Sequence, residues 1–296
     1  MKHLLIMIPL FATACLPFHK GPMPGEPKGT YAELLDTRVR YQDIGKGPAV
    51  VLLHGFASSL ETWLPVAPKL ATSHRVISLD LKGFGWTDRP EGDYSPRAQA
   101  ELVFALMDKL GVHDAAIVAH SWGASVALEM ALLHPDRVRR LGLYDAWLYE
   151  EQLPTFFIWA RQPRVGEALF ATYYDQRPGE KISLAFFNQS FVTEQLVEDV
   201  ERALLRPGTK AAALAAVRGQ RYSEIQQQYR RIDKPALILW GEQDRVTPIA
   251  VGQRLASELP RSKLVVYPRC GHFPMLEASA QSTDMLASFL AEDVNP

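Results

Sequence analysis

Two cysteines in 296 residues, Cys15 and Cys270, are too few for a disulfide framework, so an apolar core has to hold the fold. Histidines, cysteines and carboxylates nowhere cluster at metal-ligand spacing, and no phosphate-cradling loop ending in Gly-Lys-Ser or Gly-Lys-Thr is present. Gly83-Phe84-Gly85 begins like a dinucleotide fingerprint but breaks its spacing, because position 88 is Asp. The sequence thus calls for no metal and no cofactor. Charge of either sign is not in excess: 32 lysines and arginines stand against 33 aspartates and glutamates, a net charge of −1. With no basic run, a nucleic acid partner is not expected. Internal repeats are absent, and the apolar stretch Leu4 to Ala12, broken by Pro9, is too short to span a bilayer as a mature helix.

What the chain does have is apolar mass. It is 47% hydrophobic and 22% charged, enough for one sizeable α/β domain with an insertion. At the N-terminus a short basic region, Met1-Lys2-His3, precedes the Leu4–Ala12 stretch and the small residues Ala12-Thr13-Ala14. Residues 1–14 read as a secretory signal. Small residues directly before Cys15 are similar to a bacterial lipobox, although Ala12 stands where Leu is usual. On that reading Cys15 is lipidated, and the protein is exported as a periplasmic or membrane-anchored bacterial lipoprotein; secretion is the alternative. Residues 15–30, crowded with Pro and Gly, read as a flexible linker.

Beyond the linker, strand-length apolar runs alternate with longer amphipathic segments, the pattern of a parallel sheet covered by helices. Strands are expected at Arg38–Asp43, Ala49–Leu53, Arg75–Leu79, Ala115–Ala119, Val138–Tyr144, Ala236–Trp240 and Lys263–Tyr267. One helix starts at Ser95-Pro96, an N-cap followed by proline at the first helical position, and runs to Leu110 before Gly111. Others follow Ser121, span about Ile249 to Leu259, and run from about Ala278 to Leu290. From Ala146 to about Arg231 the periodicity is helical throughout. Between Trp147 and Phe191 this stretch holds eleven of the chain's 13 Phe, 10 Tyr and 6 Trp. Most such rings should pack a helical core, and a minority should line a pocket beneath it.

Chemistry concentrates at Ala119-His120-Ser121-Trp122-Gly123, a serine between small residues where a strand turns into a helix. That layout holds a nucleophile at the top of a sheet. A serine needs a base, and the base needs a carboxylate to fix its tautomer. Downstream, Asp244 follows the Ala236–Trp240 strand, and His272 lies behind Gly271 after the Lys263–Tyr267 strand. Ser121, Asp244 and His272 therefore form a candidate triad, with Asp145 as a rival acid at the end of Val138–Tyr144. Oxyanion donors are expected from the backbone N–H groups of Trp122 and of Phe56, which follows His54-Gly55. His54 and His120 read as structural hydrogen-bonding residues.

These motifs, with Asp80-Leu81-Lys82-Gly83-Phe84-Gly85 and Gly241-Glu242-Gln243-Asp244, resemble the α/β-hydrolase superfamily from Tyr41 to about Leu290. Two departures stand out: Ala119 replaces the usual first elbow glycine, and Trp86-Thr87 stands where members often have serine. The resemblance implies an α/β fold with an eight-stranded, mostly parallel sheet flanked by helices. It also implies a core of residues 31–145 and 232–296 and an inserted helical cap over 146–231. A serine nucleophile, not the aspartate of epoxide hydrolases and haloalkane dehalogenases, points to acyl transfer. The reading is a serine esterase cleaving a carboxylic ester of a small apolar or aromatic compound. C–C (diketone-type) hydrolysis, lactone opening and amide cleavage remain open with the same triad, as does a slow-turnover ligand-binding receptor.

Overall fold

The computed structural model describes residues 15–292. The segment 1–14, expected as a signal, lies outside the described residues; Cys15 is exposed. Eight strands form one sheet: β1 (Thr30–Leu34), β2 (Thr37–Ile44), β3 (Ala49–Leu53), β4 (Arg75–Leu79), β5 (Ala115–His120), β6 (Val138–Tyr144), β7 (Ala236–Gly241) and β8 (Ser262–Tyr267). Their spatial order is β1-β2-β4-β3-β5-β6-β7-β8. The β1–β2 and β2–β4 pairs are antiparallel, and every other pair is parallel.

Every residue of β3, β5 and β7 is buried, because helices cover both faces of the sheet. Alternation along β3 sorts its side chains: Val51 and Leu53 face one core, Val50 and Leu52 the other. The first core is shared with α2 (Pro96–Lys109), α3 (Gly123–Leu133) and α9 (Ile249–Glu258); the second with α1 (Ala67–Leu70), α10 (Pro274–Glu277) and α11 (Ser279–Ala291). Each fully buried Val or Leu in these layers contributes about 1.5–3 kcal/mol. Helix α2 starts as its sequence indicates: the Ser95 side chain accepts from the Ala98 N–H at 3.2 Å, with proline at the next position.

Between β6 and β7 the chain contains no strand. Helices α4 (Thr155–Ala160), α5 (Val165–Tyr173), α6 (Pro178–Ala185), α7 (Glu194–Leu204) and α8 (Thr209–Gly219) follow one another. They carry a small core of their own around Phe170, Tyr174, Leu214 and Val217. No helix among the described residues is long and apolar enough to cross a membrane.

Two features depart from the sequence reading. Strand β1 was not anticipated, and residues 15–29 are not a loose tether. His19 and Arg89 exchange backbone hydrogen bonds of 2.8 Å each, and Gly21 N–H donates to Asp88 at 3.0 Å. The Phe18 ring stacks on Tyr94, Met23 is buried, and Glu26 pairs with Arg38. Proline and glycine set the turns of this segment, but the Arg89 N–H and carbonyl, which lie outside the sheet, supply the partners that dock it.

Candidate active site

The six mutually parallel strands end at the same edge of the sheet, and the loops after β3, β5, β6, β7 and β8 build the site. Past β5, Ser121 adopts φ +52°, the left-handed region that an L-residue enters at a cost of about 1–2 kcal/mol. Three backbone bonds hold it there. Its N–H donates to Tyr144 O at 2.9 Å, and its carbonyl accepts from Ala124 and Trp147 N–H at 2.9 and 3.1 Å. Gly123 is obligatory, since a Cβ there would lie 2.5 Å from His54 O. At Gly55 a Cβ would stand 3.0 Å from the Ser121 Cβ, so the β3 loop passes directly against Ser121. Ala119, by contrast, points its methyl into the core and is fully buried.

The β3 loop turns through Ala57 at φ +55°. Among the described residues, neither the Phe56 nor the Trp122 backbone N–H donates to a protein acceptor. His54 is fully committed: its Nε2 accepts from Leu81 N–H at 2.9 Å, so Nδ1 carries the proton and donates to Gly55 O at 2.7 Å. Burial lowers its pKa, as a neutral structural imidazole requires. Nε2 of His120 donates to His272 O at 2.8 Å, and burial, then the nearby His272, depresses the His120 pKa well below the ordinary value. His120 thereby clamps the His272 loop onto the Ser121 elbow, the two rings lying 4.7 Å apart.

Asp244 and His272 meet. His272 Nδ1 donates to Asp244 Oδ2 at 2.7 Å, and both residues are buried. Asp244 also accepts from Val246 N–H at 2.7 Å, Thr247 N–H at 3.0 Å and the Thr247 hydroxyl at 2.5 Å. Burial alone would raise this carboxyl; the His272 charge and these donors instead hold it below the usual range. Asp145, the rival acid, lies in the same cluster: one oxygen of each carboxylate and one His272 nitrogen fall within 4.8 Å of each other. The hydrogen bond to His272, however, belongs to Asp244. Burial, and then the Asp244 charge, push the Asp145 pKa well above the usual range.

The cap reaches this edge at two places. Phe157 and Tyr174 approach Phe56, with ring centroids 5.4 and 6.5 Å away. Phe186 stacks on Phe273 at 4.9 Å, next to His272. A 2.7 Å hydrogen bond runs from His272 N–H to Ala185 O, while Glu277 accepts from Gly271 N–H at 2.8 Å and from Asn188 N–H at 2.7 Å. Sequence reasoning did not single out Ala185 or Glu277. A backbone carbonyl carries no residue signature, and Glu277 reads as an ordinary helical glutamate. Thr247, two residues before α9, likewise carries no signature of its own in the sequence, yet its hydroxyl contacts both Asp244 and His272.

A cavity of about 860 Å³ runs between Leu16, Phe18, Tyr94, Leu214 and Arg218, away from Ser121 and His272. Beside the Phe56 turn, between Ala57, Phe84, Tyr174 and Leu204, the opening is only about 20 Å³. The site is walled by rings.

Residues 50–283 match the model of the alpha/beta hydrolase family. Among curated relatives, a 2-hydroxy-6-oxo-2,4-heptadienoate hydrolase of Pseudomonas putida is 30% identical, the match covering 85% of this chain and 92% of that protein. A solved meta-cleavage product hydrolase from Pseudomonas fluorescens superposes with TM-score 0.77 at 25% identity, over 88% of this chain and 97% of that one. Est816, described as an N-acyl homoserine lactone degrading enzyme, superposes with TM-score 0.73 at 26% identity, over 88% of this chain and all of that one. The strand order, the Ser121 elbow and the family match agree: this chain belongs to the alpha/beta hydrolase family and is a hydrolase.

Proposed function

We propose that the protein is a serine hydrolase in which Ser121 attacks a carbonyl carbon, His272 takes the serine proton, and Asp244 orients the imidazole. The observation that carries this reading is the 2.7 Å His272–Asp244 pair, clamped by His120 to the elbow that bears Ser121. In the tetrahedral adduct the oxyanion falls to the Phe56 and Trp122 N–H groups, each worth about 2.7–4 kcal/mol of barrier in comparable holes.

The bond broken, in this reading, is a C–C bond beside a ketone in a conjugated oxo acid. Support comes from the relatives, one acting on a 2-hydroxy-6-oxo-dienoate and one on meta-cleavage products. Ser121 Oγ adds to the ketone as His272 accepts its proton. The C–C bond then breaks, its electron pair passes to the conjugated fragment, and the His272 proton is returned to that fragment. Water cleaves the remaining acyl-enzyme by the same base. The ester, favoured on sequence grounds, becomes the second reading together with a lactone; Est816 and the ring-lined wall of Phe56, Phe157 and Tyr174 favour it.

One assay separates them. Purified protein is offered a 2-hydroxy-6-oxo-dienoate, a p-nitrophenyl ester and an N-acyl homoserine lactone, and kcat/KM is compared. Highest kcat/KM on the dienoate supports C–C hydrolysis, and highest kcat/KM on the ester or lactone replaces it. Tight binding without turnover on any of them would indicate a receptor.

A further inference from the structure

Asp145 is the second buried carboxyl at the triad, and its two oxygens are treated very differently. Oδ1 accepts from Gly241 N–H at 2.9 Å. Oδ2 is buried and has no hydrogen-bond donor among the described residues. The residue is fixed from its backbone: its N–H donates to Leu239 O at 3.0 Å, its carbonyl accepts from the Thr247 hydroxyl at 3.2 Å, and its φ is +42°. Its main chain is thus held in place, and the Gly241 N–H anchors the carboxyl through Oδ1. Asp80 makes the contrast. Equally buried, it accepts from Leu60 N–H, Trp86 N–H and Arg40, and none of its oxygens is left over.

We propose that Asp145 is a neutral carboxylic acid whose proton is shared with Asp244, making it a positioning residue for the carboxylate that holds His272. An ionised oxygen facing a second carboxylate with no donor is doubly unfavourable, and a single proton relieves both faults. The donor tally decides which carboxyl keeps it. Asp244 receives four hydrogen bonds, from Val246 N–H, Thr247 N–H, the Thr247 hydroxyl and His272, whereas Asp145 receives one. Charge is therefore stabilised on Asp244 and the proton stays on Asp145. The remaining titratable groups facing Asp145 are Glu277, Cys270 and Tyr144, besides Asp244 and His272. None offers a cation other than His272. The pair then carries one negative charge, matched to the single imidazolium that forms when His272 takes the serine proton. The Asp145 proton itself never leaves the pair during turnover.

The kinetic part rests on the roles proposed for His272 and Asp244; the spectroscopic part does not. Infrared difference spectra of the wild type against Asp145→Asn at neutral pH should show the carbonyl stretch of a protonated carboxyl, lost in the variant. Asn tolerates the left-handed backbone and its amide can donate to Asp244, so kcat should stay within about threefold of wild type. Asp145→Gly keeps the backbone freedom but removes the donor, and should lower kcat about tenfold or more with KM little changed. A difference spectrum without that band means Asp145 is ionised and overturns the proposal. So does an Asp145→Gly variant with wild-type kcat. If Asp145→Gly does not fold, the wild-type against Asp145→Asn spectra decide alone. Failure of the triad reading would look different: full activity in Ser121→Ala with the carboxyl band intact.

Discussion

At the sheet edge, function is set by backbone; in the cap it is set by side chains. Ala57 in the β3 loop, and Ser121 and Asp145 immediately after β5 and β6, all sit at positive φ, and their main chains are held by backbone hydrogen bonds such as those of Ser121 with Tyr144, Ala124 and Trp147. The cap shows the reverse. Its rings meet at varied angles, and Trp159, Tyr173 and Phe187 remain exposed at 59%, 58% and 44%. Strain is affordable at the edge because β-strands on both sides over-determine each turn. Helices α4 and α5, which meet this edge through rings such as Phe157 on Phe56, can change their lining without moving the backbone turns at the edge.

The contrast is sharpest at Ser121. Ser121→Ala should lower kcat by about 10⁴–10⁶-fold while the thermal midpoint moves by no more than a few degrees, read by turnover and by circular dichroism. Retained turnover would place the nucleophile elsewhere. Gly123→Ala tests the backbone side: its methyl meets His54 O at 2.5 Å and Leu53 O at 2.8 Å. Overpacking there should cost about 1–3 kcal/mol in urea unfolding, with kcat reduced as well. In the cap, Phe157→Ala removes a half-buried ring against Phe56 and should act mainly on KM, about three- to tenfold, with a smaller effect on kcat. An equal fall in kcat at Phe157 would erase the distinction between the two regions.

Carboxylates give the smallest and most directional comparison. Hydrogen bonds from Arg218 hold the cap residue Glu167 below the usual carboxylate range, so the stability it supplies is present above the unfolded pKa and is lost as pH falls through the lowered value. Glu167→Gln should cost under about 1 kcal/mol near neutrality, and less in acid. Asp145 has the opposite sign. Its folded pKa is raised by burial and by Asp244, so wild-type stability relative to Asp145→Asn should be highest in acid and decline as pH rises through the raised value. Urea titrations of both variants across pH test whether the slopes have opposite signs.

Much of the edge was legible in the sequence because its signals are local. The apolar runs Ala49–Leu53 and Ala236–Trp240 are nearly pure β patterns, and helix α2 announces itself with Ser95-Pro96 and Gly111. The juxtaposition of His272 with Asp244 could be read from order along the chain, since parallel strands deliver their C-terminal loops to one edge. What escaped is non-local. The edge strand β1 has only five residues with mixed burial, and its pairing to β2 is invisible without the turn at Leu35 and Asp36, both at positive φ. The docking of residues 15–29 depends on a backbone partner at Arg89, seventy residues away in sequence from His19. Asp145 was weighed as a competitor of Asp244; that both occupy one cluster is a matter of geometry that spacing does not encode.

The bond from His272 N–H to Ala185 O, backed by Glu277 bridging Gly271 and Asn188, makes the His272 loop and the 185–188 segment a single structural unit. Grafting a foreign cap onto this core would sever it unless the graft supplies a carbonyl and an amide at those two positions. Changes within α4 and α5 leave this link untouched, whereas the end of α6 has to keep its carbonyl in place for the His272 loop.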